Sequence, residues 1–252
     1  MKMPRKAKRL QSAIIYRGPS LIDGGPIVVI AIISGRNKKT GKMIQTYILR
    51  EDIDPRLASK LGLDFSICGN CPMRGTPTVK PEAKQAEDRA CYVFLGQGPL
   101  IAWQSYQKGI YPDCPDLAAF GEGLMVRLGT YGDGAAVPAY VWHGLLSRAK
   151  GFTGYSHQSG FASAAFDPSL YMASVESLPQ ARAQWDRGAR TFRIVESVKD
   201  IAKGFEILCP ASKEAGKRTS CADCGLCAGN TVKAKSIAIV AHGAGRNHFE
   251  MA

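Results

Sequence analysis

Hydrophobic runs of strand length recur along this chain, separated by short polar stretches. The first two are PIVVIAIISG (26–35) and MIQTYILR (43–50), which are rich in β-branched residues and flank a polar, glycine-containing turn. Both are predicted to be β-strands. Asp54 and Pro55 follow, a typical N-cap and first helical residue, so a short helix is predicted to begin there.

From residue 115 onward, runs typical of strands alternate with helical stretches. Six such strands, from LMVRLGTYG to SIAIVAHG, are predicted, with helices such as LPQARAQWDRGA between them. The leading prediction is an α/β fold: a (β/α) barrel or partial barrel over 115–252, continuous with a β-rich N-terminal part over 1–114. An open doubly wound sheet is the alternative. A dinucleotide-binding form is disfavoured because no G-x-G-x-x-G follows the first strand.

The residues that follow the predicted parallel strands are polar or ionisable in five successive cases. Active sites of such folds lie at the carboxyl ends of the strands, so these residues are candidates. The predicted catalytic residues are Asp133, Glu176 and His157, and the predicted substrate-binding residues are Tyr131, Tyr155, Gln158 and Arg193. Structural roles are the alternative: a turn aspartate, a glutamate favoured by a helix N-terminus, and a buried histidine.

Four of the eight cysteines lie close together near the C-terminus, with the spacing C-x11-C-x2-C-x2-C. Four thiolates complete a tetrahedral shell, so Cys209, Cys221, Cys224 and Cys227 are predicted to hold a metal. Zinc is the first expectation, and a [4Fe–4S] cluster is the alternative because C-x2-C-x2-C also occurs in ferredoxin-type ligation.

A second group of cysteines lies in the first half of the chain. Cys68, Cys71, Cys91 and Cys114 are a weaker candidate for another metal site, and unrelated thiols are the alternative. The C-x3-C-x2-C triplet of radical S-adenosylmethionine enzymes is absent.

The net charge of +12 favours an acidic partner, since Lys and Arg bind phosphate backbones with release of counterions. Five of the first nine residues are Lys or Arg.

No apolar run approaches the roughly 18 residues of a membrane span, and no signal-peptide pattern follows the basic N-terminus. We therefore expect a cytoplasmic protein with no membrane partner, in a compartment where clustered cysteines are more often metal ligands than disulfides.

Several segments together resemble a family of phage- and plasmid-encoded proteins. They are VRLGTYGDGAAVP, GYSHQ, MASVES, GARTFRI and the CPAS…C..C..C tail, with CGNCPMRG and ACYV in the first half. More distantly, the chain resembles the phage branch of tRNA-guanine transglycosylases, which exchange guanine in DNA for a 7-deazaguanine. The resemblance implies a barrel, a cysteine-rich metal site and a catalytic carboxylate at the end of a strand. In this sequence Asp133 best matches that carboxylate.

The resulting expectation is base exchange in DNA through a covalent sugar intermediate on Asp133, with Glu176 handling the proton. The partners would be nucleic acid, DNA preferred, and a small 7-deazapurine base, with Tyr131 or Tyr155 stacking on a base and His157 or Gln158 reading its edge. Two other classes stay open: a non-enzymatic, metal-containing nucleic-acid-binding protein of a mobile element, and an iron–sulfur enzyme.

Overall fold

A computed structural model describes residues 10–34, 37–216, 218–243 and 246–249. The basic residues 1–9 lie outside this range. The strands are β1 (Ser12–Pro19), β2 (Pro26–Ser34), β3 (Met43–Arg50), β4 (Met125–Tyr131), β5 (Gly151–Ser156), β6 (Met172–Val175), β7 (Thr191–Val195), β8 (Glu206–Leu208) and β9 (Ser236–Val240). The α-helices are α1 (Pro55–Lys60), α2 (Phe65–Cys68), α3 (Gly98–Gln107), α4 (Leu117–Gly121), α5 (Ala139–Leu146), α6 (Leu178–Trp185) and α7 (Cys221–Cys224).

All nine strands belong to one mixed sheet, in the order β1-β2-β3-β4-β5-β6-β7-β9-β8. The first three form an antiparallel meander, and every later pairing is parallel. β3 pairs directly with β4, so the β-rich N-terminal part and the βα-repeat part share one continuous sheet. The predicted α/β class and the strands predicted from hydrophobic runs are confirmed.

The sheet of the described residues is not closed, so it does not show the barrel that was the first form of the predicted barrel or partial barrel. Closure would require β1 to pair with β8, but both outer edges are unsuited to it. On the side of β1 away from β2, another segment already bonds the strand. The N–H of Ile14 donates to Pro112 O (2.9 Å), and the N–H of Cys114 donates to Ile14 O (2.8 Å). The other edge strand, β8, has only three residues and pairs with β9 alone.

Helix α1 begins where the sequence predicts. The Asp54 carboxylate accepts hydrogen bonds from the main-chain N–H groups of Arg56 and Leu57, and Pro55 occupies the first turn. Such a cap satisfies N–H groups that have no partner within the helix. Five consecutive residues of β2, 27–31, are buried, which explains why the strand reads as a continuous apolar run rather than an alternating one.

Three contacts fasten the C-terminal cysteine loop to the rest of the sheet. The N–H of Cys221 donates to Lys39 O and that of Ala222 to Thr40 O, each at 2.9 Å, in the turn between β2 and β3. On β5, the N–H of Gly154 donates to Cys227 O, also at 2.9 Å.

In the part of the chain that the structure describes, no helix is long and apolar enough to cross a membrane.

Candidate active site

A cavity of about 350 Å³ lies at the carboxyl ends of the parallel strands. Tyr131 and Asp133 enter it from the end of β4, Tyr155 and His157 from β5, and Glu176 from β6. Ligand sites of open α/β sheets lie at this edge, because loops leaving successive strands converge there. The structure thus brings the three predicted catalytic residues into one cavity with two of the predicted substrate-binding residues.

His157 contacts both predicted catalytic carboxylates. Its main-chain N–H donates to Asp133 Oδ2 (2.9 Å), and its ring Nε2 lies 2.7 Å from Glu176 Oε1. The two carboxylates come from the ends of β4 and β6, which are not neighbours in the sheet. β5 lies between those strands, and the residue just beyond it therefore reaches both.

The electrostatics of the His157 ring favour its protonated form. Burial alone would lower the pKa of His157, but the neighbouring Cys71 and Glu176 outweigh burial and raise the pKa well above its ordinary value. A protonated ring donates from Nε2 to the Glu176 carboxylate. The pair can therefore give a proton to a bound molecule or take one from it.

Asp133 is held by main-chain and side-chain donors. Its Oδ1 accepts the N–H of Ala135 (3.0 Å), which closes the turn after β4. Its Oδ2 accepts the N–H of His157 (2.9 Å) and a longer bond from Gln158 Nε2 (3.4 Å). A carboxylate has about four acceptor sites, so about one stays unused, and Asp133 lines the cavity. Asp133 is therefore both a turn residue and a cavity residue.

Two predicted substrate-binding residues do not line the cavity. The Gln158 side chain is buried, and it bonds Cys68 O (3.1 Å) and the Asn70 N–H (3.3 Å). Arg193 is 2% exposed and forms a two-point ion pair with Glu206, at 2.9 and 2.7 Å. These placements do not fit contact with a substrate: Gln158 positions the loop around Asp133, and Arg193 joins β7 to β8 inside the protein.

Tyr131 and Tyr155 present different groups to the cavity. The ring of Tyr155 packs on Phe192, with 4.5 Å between the centroids. The buried hydroxyl of Tyr131 has no hydrogen-bond partner among the described residues. A buried polar group of this kind is usually paired, so this hydroxyl could serve a bound molecule.

Three of the four N-terminal cysteines line the cavity: Cys68, Cys71 and Cys91. A short hairpin brings them together, since Thr76 and Glu87 exchange main-chain hydrogen bonds and the Cys91 N–H donates to Met73 O (3.0 Å). Cys114 does not line the cavity. It packs against the core beside β1, so the fourth member of the predicted group lies elsewhere.

The C-terminal cysteines lie at another wall of the same cavity. Cys209, Cys221 and Cys227 line it, and they pack on one apolar cluster that includes Met172 and Ile239. Burial raises the pKa of the Cys227 thiol, and its charge interactions with Cys209, Cys221 and Cys224 raise it further. Ionisation of these thiols is thus mutually unfavourable, and a bound cation would relieve that repulsion.

All eight cysteines are free thiols. Across 10–34, 37–216, 218–243 and 246–249, no group of three or more His, Cys, Asp or Glu side chains is arranged to hold a metal ion. The donor chemistry of the four C-terminal thiols nevertheless fits a thiophilic metal.

Sequence reasoning missed a basic group in the cavity. It consists of Arg127 in the middle of β4, Lys39 in the turn after β2, and Arg246, with Tyr92 and His242 between them. Arg127 carried a signal, since it is the single charge inside the apolar run LMVRLGTYG. Lys39 and Tyr92 carried none, because only the tertiary fold brings their loops here.

The fold and the cavity define an α/β protein with a polar site at the carboxyl edge of its sheet. No family model, no curated protein and no solved structure matches this chain.

Proposed function

We propose that this chain is a base-exchange enzyme that acts on nucleic acid, preferably DNA, and replaces guanine with a 7-deazapurine. One observation carries the proposal: Asp133 and Glu176, from separate strands, meet at His157 inside one cavity. Retaining exchange at a sugar carbon requires a nucleophilic carboxylate and a separate group that moves a proton.

In the first step, the free acceptor site of Asp133 attacks the sugar C1′. The bond between C1′ and the guanine nitrogen breaks, its electron pair stays with guanine, and guanine takes a proton from the His157–Glu176 pair. In the second step, the incoming base returns a proton to that pair. Its nitrogen attacks C1′ and displaces the Asp133 carboxylate, so the sugar keeps its original configuration.

The cavity and the charge of the chain support this substrate class. A volume of about 350 Å³ is within the range of pockets that enclose small ligands, and aromatic side chains line part of it. A base held there must leave the nucleic-acid stack. The net charge of +12 favours attraction of the phosphate backbone.

The test is isotope exchange, in which labelled guanine itself is the incoming base and the modified base need not be identified. Purified protein is incubated with DNA and radiolabelled guanine, and label in the DNA is measured. We expect incorporation by the wild type and a loss of about 10²–10⁴-fold for Glu176→Gln, since the variant cannot accept the proton. Glu196→Gln is the matched control, because Glu196 also follows a strand but is exposed and outside the cavity. No incorporation into DNA or RNA by the wild type would refute base exchange.

A second candidate is a metal enzyme, zinc or iron–sulfur, and a specific observation favours it: three cysteines of each group line the same cavity. Cys209, Cys221, Cys224 and Cys227 would hold the metal, which would supply Lewis-acid or redox chemistry when bound. Protein purified without oxygen should then contain about one metal per chain, and brown colour with absorbance at about 400 nm would favour iron–sulfur over zinc.

A further inference from the structure

The Arg127 side of the cavity contains an arginine whose charge is not matched by a carboxylate. The Tyr92 hydroxyl, 2.5 Å from Nη2, is its one hydrogen-bond acceptor among the described residues. Its Nε is enclosed and has no partner there. The guanidinium carbon lies 5.9 Å from the centroid of the Tyr92 ring and 5.8 Å from that of Tyr155, so the two aromatic rings partly desolvate the cation.

Two buried arginines, Arg193 and Arg190, have acceptors for their guanidinium donors. Arg193 pairs with Glu206 at 2.7 Å. Arg190 donates to four main-chain carbonyl oxygens, at 2.8 to 2.9 Å. Burial of a charge is costly unless it is paired and hydrogen-bonded, and the protein meets that requirement at these two sites. At Arg127, donors remain unused and the side chain lines a cavity.

Further positive charge lies on the same side of the cavity. Lys39 Nζ lies 2.9 Å from His242 Nε2, while His242 Nδ1 lies 3.0 Å from Val240 O. Nδ1 must donate to the carbonyl, so Nε2 accepts from Lys39 and the imidazole is neutral. The neutral His242 ring therefore leaves the positive charge of Lys39 unbalanced. Arg246 lines the cavity as well.

The carboxylates of the cavity lie elsewhere. Asp133 and Glu176 are both bonded to His157. Glu214, whose charge acts on Lys39, is exposed and does not line the cavity. Three cations with no matching carboxylate among the described residues suit a ligand group with more than one negative charge, and Arg binds phosphate through paired N–H donors.

We propose that Arg127, with Lys39 and Arg246, forms a binding site for a phosphate group of the ligand. The proposal does not depend on base exchange, because it concerns binding alone. A phosphate is favoured over a carboxylate because a carboxylate carries only one charge. The rings of Tyr92 and Tyr155 and the bond to the Tyr92 hydroxyl restrict the guanidinium before the anion binds, so less freedom is lost on binding.

The probe is inorganic phosphate, followed by a nucleoside 5′-monophosphate and the matching nucleoside. Binding is measured by calorimetry and thermal unfolding, with sodium chloride at equal ionic strength as reference. We expect saturable stabilisation of the wild type by phosphate, and monophosphate binding at least tenfold tighter than nucleoside binding. Arg127→Gln should weaken phosphate affinity at least tenfold. Arg148→Gln should not, because Arg148 is half-exposed in a surface pair with Asp116.

If Arg127→Gln does not fold, Lys39→Gln gives the same test, with an expected loss of severalfold. The proposal is overturned if phosphate has no saturable effect on the wild type, or if neither variant weakens binding. It is also overturned if the wild type does not bind phosphate and Arg127→Gln loses bound metal. That result would show that Arg127 balances the negative charge of the Cys221 and Cys227 thiolates instead. Base exchange could fail in its own assay while phosphate binding survives, so the two failures are distinguishable.

Discussion

The carboxylate of Asp133 accepts the main-chain N–H of His157 at 2.9 Å, which joins the ends of two adjacent parallel strands, β4 and β5. The same carboxylate accepts the N–H of Ala135. Each oxygen thus faces a donor, and an amide group cannot replace it without placing an NH2 against an N–H.

Asp133→Asn should therefore lower the free energy of unfolding by about 1–3 kcal/mol, in addition to any loss of activity. Urea denaturation measures the change. Asp113→Asn is the control: its carboxylate is 77% exposed in a surface ion pair, and its removal should change stability by less than about 0.5 kcal/mol. Equal stability of the Asp133 variant and the wild type would contradict the bonding described here.

The ion pair of Arg193 and Glu206 should be structural. Arg193→Met leaves a buried carboxylate without its partner, so the free energy of unfolding should fall by about 3–5 kcal/mol. The double variant Arg193→Met/Glu206→Leu should recover part of that loss, and a double-mutant cycle measures the coupling. If the Arg193→Met protein is as stable as the wild type but binds substrate more weakly, Arg193 is a substrate-binding residue, as the sequence predicts.

The cysteines offer a matched pair for metal analysis. Cys224→Ser should lower metal content and thermal stability together, because structural metal binding is coupled to folding. Cys114→Ser should leave metal content unchanged, since Cys114 lies beside β1 and outside the cavity. Unchanged metal stoichiometry in the Cys224 variant would remove the C-terminal site.

Gly69 and Gly24 test whether Gln158 supports the loop of Cys68. Both glycines have positive φ, +53° and +78°, so alanine strains the backbone at each, and Gly69 adds a ψ of −130°, which lies outside the left-handed helical region. At Gly69 the added Cβ would lie within 3 Å of the Gln158 amide group, whereas at Gly24 it would meet nothing within 4 Å. Gly69→Ala should therefore be less stable than Gly24→Ala in thermal unfolding. Equal melting temperatures would show that Gln158 yields freely.

Nucleic-acid affinity should fall steeply as salt concentration rises, because the net charge is +12. Deletion of residues 1–9, which include five Lys or Arg, should flatten the slope of log affinity against log salt. Filter binding or fluorescence anisotropy at several salt concentrations measures it. Affinity that ignores salt would argue against any nucleic-acid role.

Much of the fold was predictable, because the strands are short apolar runs bounded by turn residues. The cap at Asp54 was predictable for the same local reason. The strand order was not: β9 lies between β7 and β8, and no local signal distinguishes that insertion from sequential addition. β1, which is an edge strand of the sheet, was not predicted from the sequence.

The candidate site was predictable to the extent that strand ends meet at one edge. That logic selected Asp133, His157 and Glu176, which share one cavity, and also Arg193, which lies outside it, because strands buried on both faces do not show which way a side chain points. The meeting of the two cysteine groups at one cavity depends on long-range pairing, and so does the neighbourhood of Arg127. Neither follows from spacing.

The contact between Lys39 and His242 spans 203 positions of the chain, and the loop of Cys221 is fastened to the same turn. Closing so long a loop is entropically unfavourable, and proteins that depend on distant contacts fold slowly. During synthesis, the N-terminal meander, which includes Lys39, can form before Cys221 and His242 are available to contact it. We therefore expect that ligand binding appears late in refolding, well after the sheet gives its circular-dichroism signal.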